Sequence, residues 1–141
     1  MITILLVRHA DIDLPPVSAD PPLNEAGRRR AEALAHLLGA AGVSTVFTSA
    51  FRRTRETVEP LKMASREMPS AATVAHEARA GRYGAVVLIA GHSNTVPEVI
   101  AALGAPPPAI GETDFDNLFV VTTADDAEPG LLRLKYGISL S

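Results

Sequence analysis

The run Ile2-Thr3-Ile4-Leu5-Leu6-Val7, broken at once by Arg8-His9, decides how the rest of the chain is read. Its apolar and β-branched side chains follow one another without polar alternation, the mark of a short buried strand of the kind found in parallel sheets. From Asp11 to Pro22, four prolines (Pro15, Pro16, Pro21, Pro22) with interleaved aspartates forbid regular structure, so a surface loop follows the strand. Asn24 reads as the N-cap of a helix from Glu25 to Ala41. Ala31, Leu34, Leu37, Leu38 and Ala41 recur there at helical spacing opposite Arg28, Arg29, Arg30 and Glu32, and Gly39 and Gly42 close the pattern.

Further along, Val43 to Thr48 reads as a second strand, and Arg52 to Ala64 as a helix that turns Val58 and Leu61 toward the core. Pro69 to Ala80 is Ala-rich and helical. After Gly81 and Gly84 comes the most apolar run of the chain, Ala85 to Ala90, the best candidate for a central strand. Thr95 to Leu103 is a helix that tolerates Pro97 in its first turn, and Pro106-Pro107-Pro108 ends it. Leu118 to Thr122 and Leu131 to Tyr136 read as edge strands. This order predicts an α/β fold, a three-layer α/β/α sandwich on a mostly parallel sheet, as one domain over residues 1–141. In such folds ligands bind beyond the carboxyl ends of the strands. Arg8-His9, Thr48-Ser49 with Arg52-Arg53, and Gly91-His92-Ser93 all stand at strand ends and are expected on one rim.

Composition narrows the chemistry. With 141 residues, 47% hydrophobic and 21% charged, the chain can bury a real core and is not disordered. It has no cysteine, which excludes disulfides, zinc–thiolate sites and thiol nucleophiles. The opening apolar run is far shorter than the ~20 residues of a membrane span and lacks the form of a signal segment. A cytoplasmic protein without membrane contact is the expectation. A formal charge of -3 argues against nucleic acid, which needs a basic field. Yet 11 of the 13 Lys and Arg lie between Arg8 and Arg82, while Tyr83 to Leu132 holds seven acids and no Lys or Arg. A local cationic pocket for a small anion fits that asymmetry.

Arg8 ends a buried strand, where an unpaired guanidinium is costly, so it needs either a carboxylate such as Asp11 or a bound anion. Arg52, Arg53 and Arg55 crowd the start of a helix, itself an anion-favouring position. His9 and His92 each follow a buried strand beside a small residue, and N–H groups near Ser93 and Asn94 could complete an oxyanion site. His36 and His76 lie in helical segments and are assigned no role.

These residues carry a resemblance. Leu6-Val7-Arg8-His9-Ala10 resembles the Arg-His-Gly signature of the histidine phosphatase (phosphoglycerate mutase-like) superfamily, and Leu23-Asn24-Glu25-Ala26-Gly27 its Leu-Thr-x-x-Gly helix start. The stretch Thr48 to Thr57 is similar to the family's Ser-Ser-Pro-Leu-x-Arg-Ala-x-Gln-Thr block, which places the second family arginine at Arg53. Gly91-His92-Ser93 resembles the motif of the second histidine. Four ordered blocks are far more specific than any one. The resemblance implies a phosphoglycerate mutase-like sandwich and a covalent route in which neutral His9 takes the phosphoryl group. An ordinary histidine pKa near 6.5 is expected to suffice for that. Arg8, Arg53, His92 and Ser93 would bind the phosphoryl oxygens, with no metal and no cofactor.

Two departures stand out. Ala10 replaces the commoner glycine. The segment from Val58 to Ala90, where the family usually carries a general acid, is short and shows no extra strand. Glu77 is the candidate proton donor by chain position and Asp116 by geometry, with Asp114, Asp11 and Asp13 as further options. A weak acid favours good leaving groups. The expected function is a metal-independent phosphatase acting on a phosphorylated small molecule or phosphoprotein, monomeric by default. The alternatives are a non-catalytic phosphate-binding module, a mutase-like phosphotransferase, which would need more enclosing structure, and a metal-dependent hydrolase, which the arginines disfavour.

Overall fold

The computed structural model describes residues 1–137. Six strands, β1 (Ile2–Arg8), β2 (Thr45–Thr48), β3 (Arg66–Glu67), β4 (Val86–Gly91), β5 (Asn117–Thr123) and β6 (Gly130–Lys135), form one sheet in the order β3-β2-β4-β1-β5-β6. β3, β2, β4 and β1 are mutually parallel, whereas β5 runs antiparallel to β1 and β6 antiparallel to β5. The helices are α1 (Glu25–Leu38), α2 (Arg52–Val58), α3 (Ala71–Arg79) and α4 (Thr95–Ala102). The architecture is therefore the α/β sandwich with a mostly parallel sheet and an antiparallel edge that the element order implies.

Strand alternation sorts the core into two layers. Ile4 and Leu6 of β1, Val87 and Ile89 of β4, and Phe119 and Val121 of β5 face α3 and α4, through Val74, Ala78, Val96 and Ile100. Leu5, Val7, Leu88, Ala90 and Leu118 face the other way, onto Leu34 and Leu38 of α1 and Val58 of α2. Each large apolar side chain buried in this way contributes about 1.5–3 kcal/mol relative to exposure. Both faces of β1 and β4 are covered, which is why their sequences are apolar without alternation.

The boundaries differ from expectation for local reasons. The second helix stops at Val58 and tightens into a 3₁₀ turn over Glu59–Leu61, because Pro60 cannot continue the α-helical ladder. Lys62 then leaves in the left-handed region at φ 57°. Strand β3 was not expected: two exposed charged residues carry no apolar signal, and only pairing with Phe47 and Thr48 makes them a strand. The first helix ends at Leu38 instead of Ala41.

Two glycines of the recognised blocks are needed for close approach. A Cβ on Gly27 would collide with the carbonyl of Asp11, against which the first turn of α1 is seated. Asn24 caps that turn: its side chain accepts from Gly27 N–H, while its own N–H donates to the Asp11 carbonyl at 3.0 Å. A Cβ on Gly91 would lie 2.7 Å from the Thr95 hydroxyl, which accepts from His92 N–H at 2.8 Å. Both contacts fix chain segments that carry site residues.

Candidate active site

Because β2, β4 and β1 are parallel neighbours, their carboxyl ends lie side by side. His9 N–H donates to the Gly91 carbonyl at 2.8 Å, extending the ladder by one step and setting the two histidines together, with ring centroids 5.4 Å apart. Antiparallel β5 starts on the same rim, pairing Leu118 with Val7, and brings the loop before it to Arg8. A cavity of about 770 Å³ opens there, and Arg8, His9, Arg53, His92 and Ser93 all line it.

His9 is buried, and its Nδ1 lies 2.8 Å from the carbonyl of Ala10. A carbonyl only accepts, so Nδ1 carries the proton and Nε2 keeps the lone pair. Burial first, then the positive fields of Arg8 and Arg53, push its pKa down to about 4. His92 is likewise pushed down to about 4, by burial and then by Arg53 and Arg8. The unperturbed value expected for His9 is thus corrected: the site holds the imidazole neutral well below pH 7. Ala10 causes no strain. Its φ is not positive, and its methyl group packs in a small core with Ile12, Leu23, Ala31 and Phe115. Ala10 N–H donates to the Thr57 hydroxyl at 2.8 Å, which itself donates to the Arg53 carbonyl at 2.7 Å. Thr57 therefore ties the turn after His9 to the helix that carries Arg53.

The arginines are held on one side and left open on the other. Nη1 of Arg8 donates to the carbonyls of Gly111, Glu112 and Asp114 at 3.1, 2.9 and 3.2 Å, and its guanidinium lies over the Phe115 ring at 4.2 Å. Its Nε is buried without a partner. Arg53 stacks on Phe51 at 4.5 Å, and its Nε and Nη1 are buried and unpaired. Asp11, the acid expected as a partner for Arg8, instead binds Arg30 at 2.6 Å. Arg52 binds Glu56 at 2.9 Å, and its backbone N–H, at the head of α2, donates to Asp20 at 3.0 Å. The expected anion site at that helix start is therefore filled by a carboxylate of the chain itself.

Neither expected proton donor reaches the cavity. Glu77 on α3 pairs with Arg82 at 2.8 Å, and Asp116 with Lys135 at 3.0 Å on the neighbouring strand. Strand order does bring the segment before β5 to the rim as expected, but it is the Asp114 backbone, not a carboxylate, that touches Arg8. Among the described residues, Glu112 is the one carboxylate lining the cavity, and it is exposed.

Ser49, expected on the rim but given no role, bonds the second histidine. Its Oγ lies 2.8 Å from Nε2 of His92 and 3.0 Å from the Thr54 hydroxyl. Thr54 gives its proton to the Phe51 carbonyl at 2.9 Å, so Ser49 donates to Thr54 and accepts from His92 Nε2–H. His92 thereby holds a neutral N–H directed at Ser49, beside it in the cavity lining. Phe51 packs edge-on to His92 at 5.5 Å, and Phe115 lies 5.8 Å from His9. No short motif marks these aromatics.

The profile of the histidine phosphatase superfamily (branch 1) matches residues 4–83, more than half of the chain, and includes Arg8, His9 and Arg53. The chain belongs to the histidine phosphatase superfamily. Solved structures extend the likeness over the whole fold. The protein histidine phosphatase SixA complexed with tungstate is 21% identical, with a TM-score of 0.77 over 95% of this chain and 97% of its own. Mycobacterial glucosyl-3-phosphoglycerate phosphatase complexed with VO3 is 16% identical, with a TM-score of 0.71 over 97% of this chain and 100% of its own. A phosphoserine phosphatase mutant from Entamoeba histolytica, in complex with phosphoserine, is 10% identical, with a TM-score of 0.73 over 93% and 95%. At these identities the likeness shows the fold. No curated protein matches the sequence. Among the described residues, no helix of this superfamily member is long and apolar enough to cross a membrane.

The depressed histidines make stability depend on pH. Both folded values lie below the unfolded value of about 6.5, so the unfolded chain takes up protons first as pH falls. Their contribution is fully present above pH 6.5 and is lost as pH drops toward 4. The urea midpoint is expected to fall between pH 7 and pH 4.5, and less steeply in the double variant His9→Ala, His92→Ala. Equal slopes would show that the histidines are not depressed.

Proposed function

We propose that the protein is a metal-independent phosphatase that hydrolyses a phosphomonoester or phosphoprotein through a phosphohistidine on His9. The observation that carries this reading is a neutral, buried imidazole with a free Nε2 lone pair beside two arginines whose buried donors have no partner. In the first step the Nε2 pair forms a P–N bond while the P–O bond to the leaving group breaks. The bonding pair leaves with that oxygen, which takes a proton from water at the open mouth. In the second step water attacks phosphorus, the P–N bond breaks, its pair returns to Nε2, and inorganic phosphate departs with the water's oxygen. Arg8 and Arg53 donate to the non-bridging oxygens in both steps, His92 joins them when its Nε2–H turns from Ser49 to the bound phosphoryl group, and Ser93 on the same lining adds a further donor. Charge on the transferring group is balanced by fixed guanidinium groups, which repel a divalent cation.

The test is hydrolysis of p-nitrophenyl phosphate in excess chelator, with intact masses taken after acid and neutral quench. Chelator-resistant turnover with an acid-labile phosphoryl adduct is the expected result. Phosphate or vanadate binding without turnover or adduct would instead establish a binding module. Loss of turnover on chelation would overturn metal independence.

A further inference from the structure

The walls of the same cavity, beyond its phosphoryl end, say what kind of group the phosphoryl is attached to. Resting on the phosphate-binding reading above, we propose that the site selects an uncharged aromatic leaving group, lodged between Phe51 and the loop around Leu14 and Pro16. Phe51 has one role already, stacking on Arg53, yet it remains 44% exposed at the mouth. Leu14 is 43% exposed and lines the same cavity with Pro16, Ala19 and Pro21. Exposed apolar surface facing a polar site has a use when a flat apolar group fills the gap between the walls.

Charge makes the same selection. Arg8 and Arg53 are the cations that line the cavity among the described residues, and both are spent on the phosphoryl group. The other ionised side chain of the lining is Glu112, and the Pro-rich wall carries Asp13 and Asp20 but no Lys or Arg. A second anionic group on the substrate, such as a carboxylate next to the phosphate, would meet a carboxylate and find no cation. Among the described residues no carboxylate other than exposed Glu112 lines the cavity, which points the same way, because an aryl oxide departs without prior protonation far more readily than an alkoxide.

Binding of non-hydrolysable phosphonates separates this inference from the catalytic one. By calorimetry at low ionic strength, phenylphosphonate is expected to bind about fivefold tighter than ethylphosphonate, the size of one aromatic packing interaction. It is expected to bind about fivefold tighter than 4-carboxyphenylphosphonate, the size of one like-charge contact near solvent. Glu112→Gln should bring the second ratio near one and Leu14→Lys should invert it, both changing the affinity for inorganic phosphate by less than that for the carboxyphenyl compound. Equal binding of the phenyl and ethyl compounds, or undiminished binding of the carboxyphenyl compound, would overturn the selection while leaving the phosphatase reading intact. Failure of inorganic phosphate and of every phosphonate to bind would remove the phosphoryl site itself, and both readings with it.

Discussion

His9→Ala is expected to lower turnover of p-nitrophenyl phosphate by at least about 10⁴-fold, as removal of a covalent nucleophile does elsewhere, and to abolish the phosphoryl adduct. His92, the other imidazole of the lining, turns its Nε2–H toward Ser49 and presents no lone pair at that nitrogen, and Arg8 and Arg53 are cations. The fold should survive, since His9 is held in the sheet by its backbone N–H to Gly91, which alanine retains. Vanadate or phosphate should still bind through Arg8, Arg53 and His92. Two measurements on the same preparation decide the matter: initial rate and anion affinity. A variant that keeps more than a tenth of wild-type turnover would show that phosphoryl transfer goes directly to water and that the histidine only positions.

Arg53→Met is expected to move stability and activity in opposite directions. In the free protein, Nε and Nη1 of Arg53 are buried without partners, a desolvation cost of about 1–3 kcal/mol. Stacking on Phe51 returns only about 0.5–1 kcal/mol. Methionine fills similar volume without donors, and it also removes a positive charge that lowers the pKa of both His9 and His92. Without ligand the variant should therefore be more stable by about 1 kcal/mol. Activity should fall by about 10²–10³-fold, the usual loss when a donor to developing charge is removed. Phosphate reverses the order of stabilities, because only the wild type gains strongly from saturation, by about 2.7 kcal/mol at a hundred times Kd. Thermal unfolding of both proteins with and without phosphate reads all of this. A variant less stable than wild type in the absence of phosphate would show that the guanidinium is satisfied by water and carries no stored cost.

The same donors set Arg8 and Arg53 apart from ordinary surface arginines. An arginine on a surface would be solvated and indifferent, whereas these two are clamped by ring faces and, for Arg8, by three carbonyls. Both residues line the cavity, and Arg8 Nε with Arg53 Nε and Nη1 are buried without a partner. Charge-assisted bonds to an oxyanion are the natural completion of that arrangement.

From the residues alone, much of the protein was legible. β1 and β4 announce themselves because both their faces are covered and no polar residue interrupts them. Asn24, Gly27 and Gly91 stand where a cap or a close backbone approach demands their type. The parallel order places Arg8-His9, Thr48-Ser49 and Gly91-His92 on one rim, since a strand's carboxyl end is a property of chain direction. What stayed hidden depends on which side chain meets which across long sequence separations. Asp116 and Glu77 are acids of the right type, yet Lys135 and Arg82 draw them away, and pairing of that kind leaves no trace in local pattern. β3 exists only because Phe47 and Thr48 offer a free edge to two charged residues. The pKa of His9 near 4 is set by burial and by the fields of two arginines, one of them 44 positions away along the chain. Local periodicity encodes burial and backbone geometry, and so determines the scaffold and the rim. Electrostatic environment and ion-pair choice are sums over neighbours in space, and only the folded chain decides them.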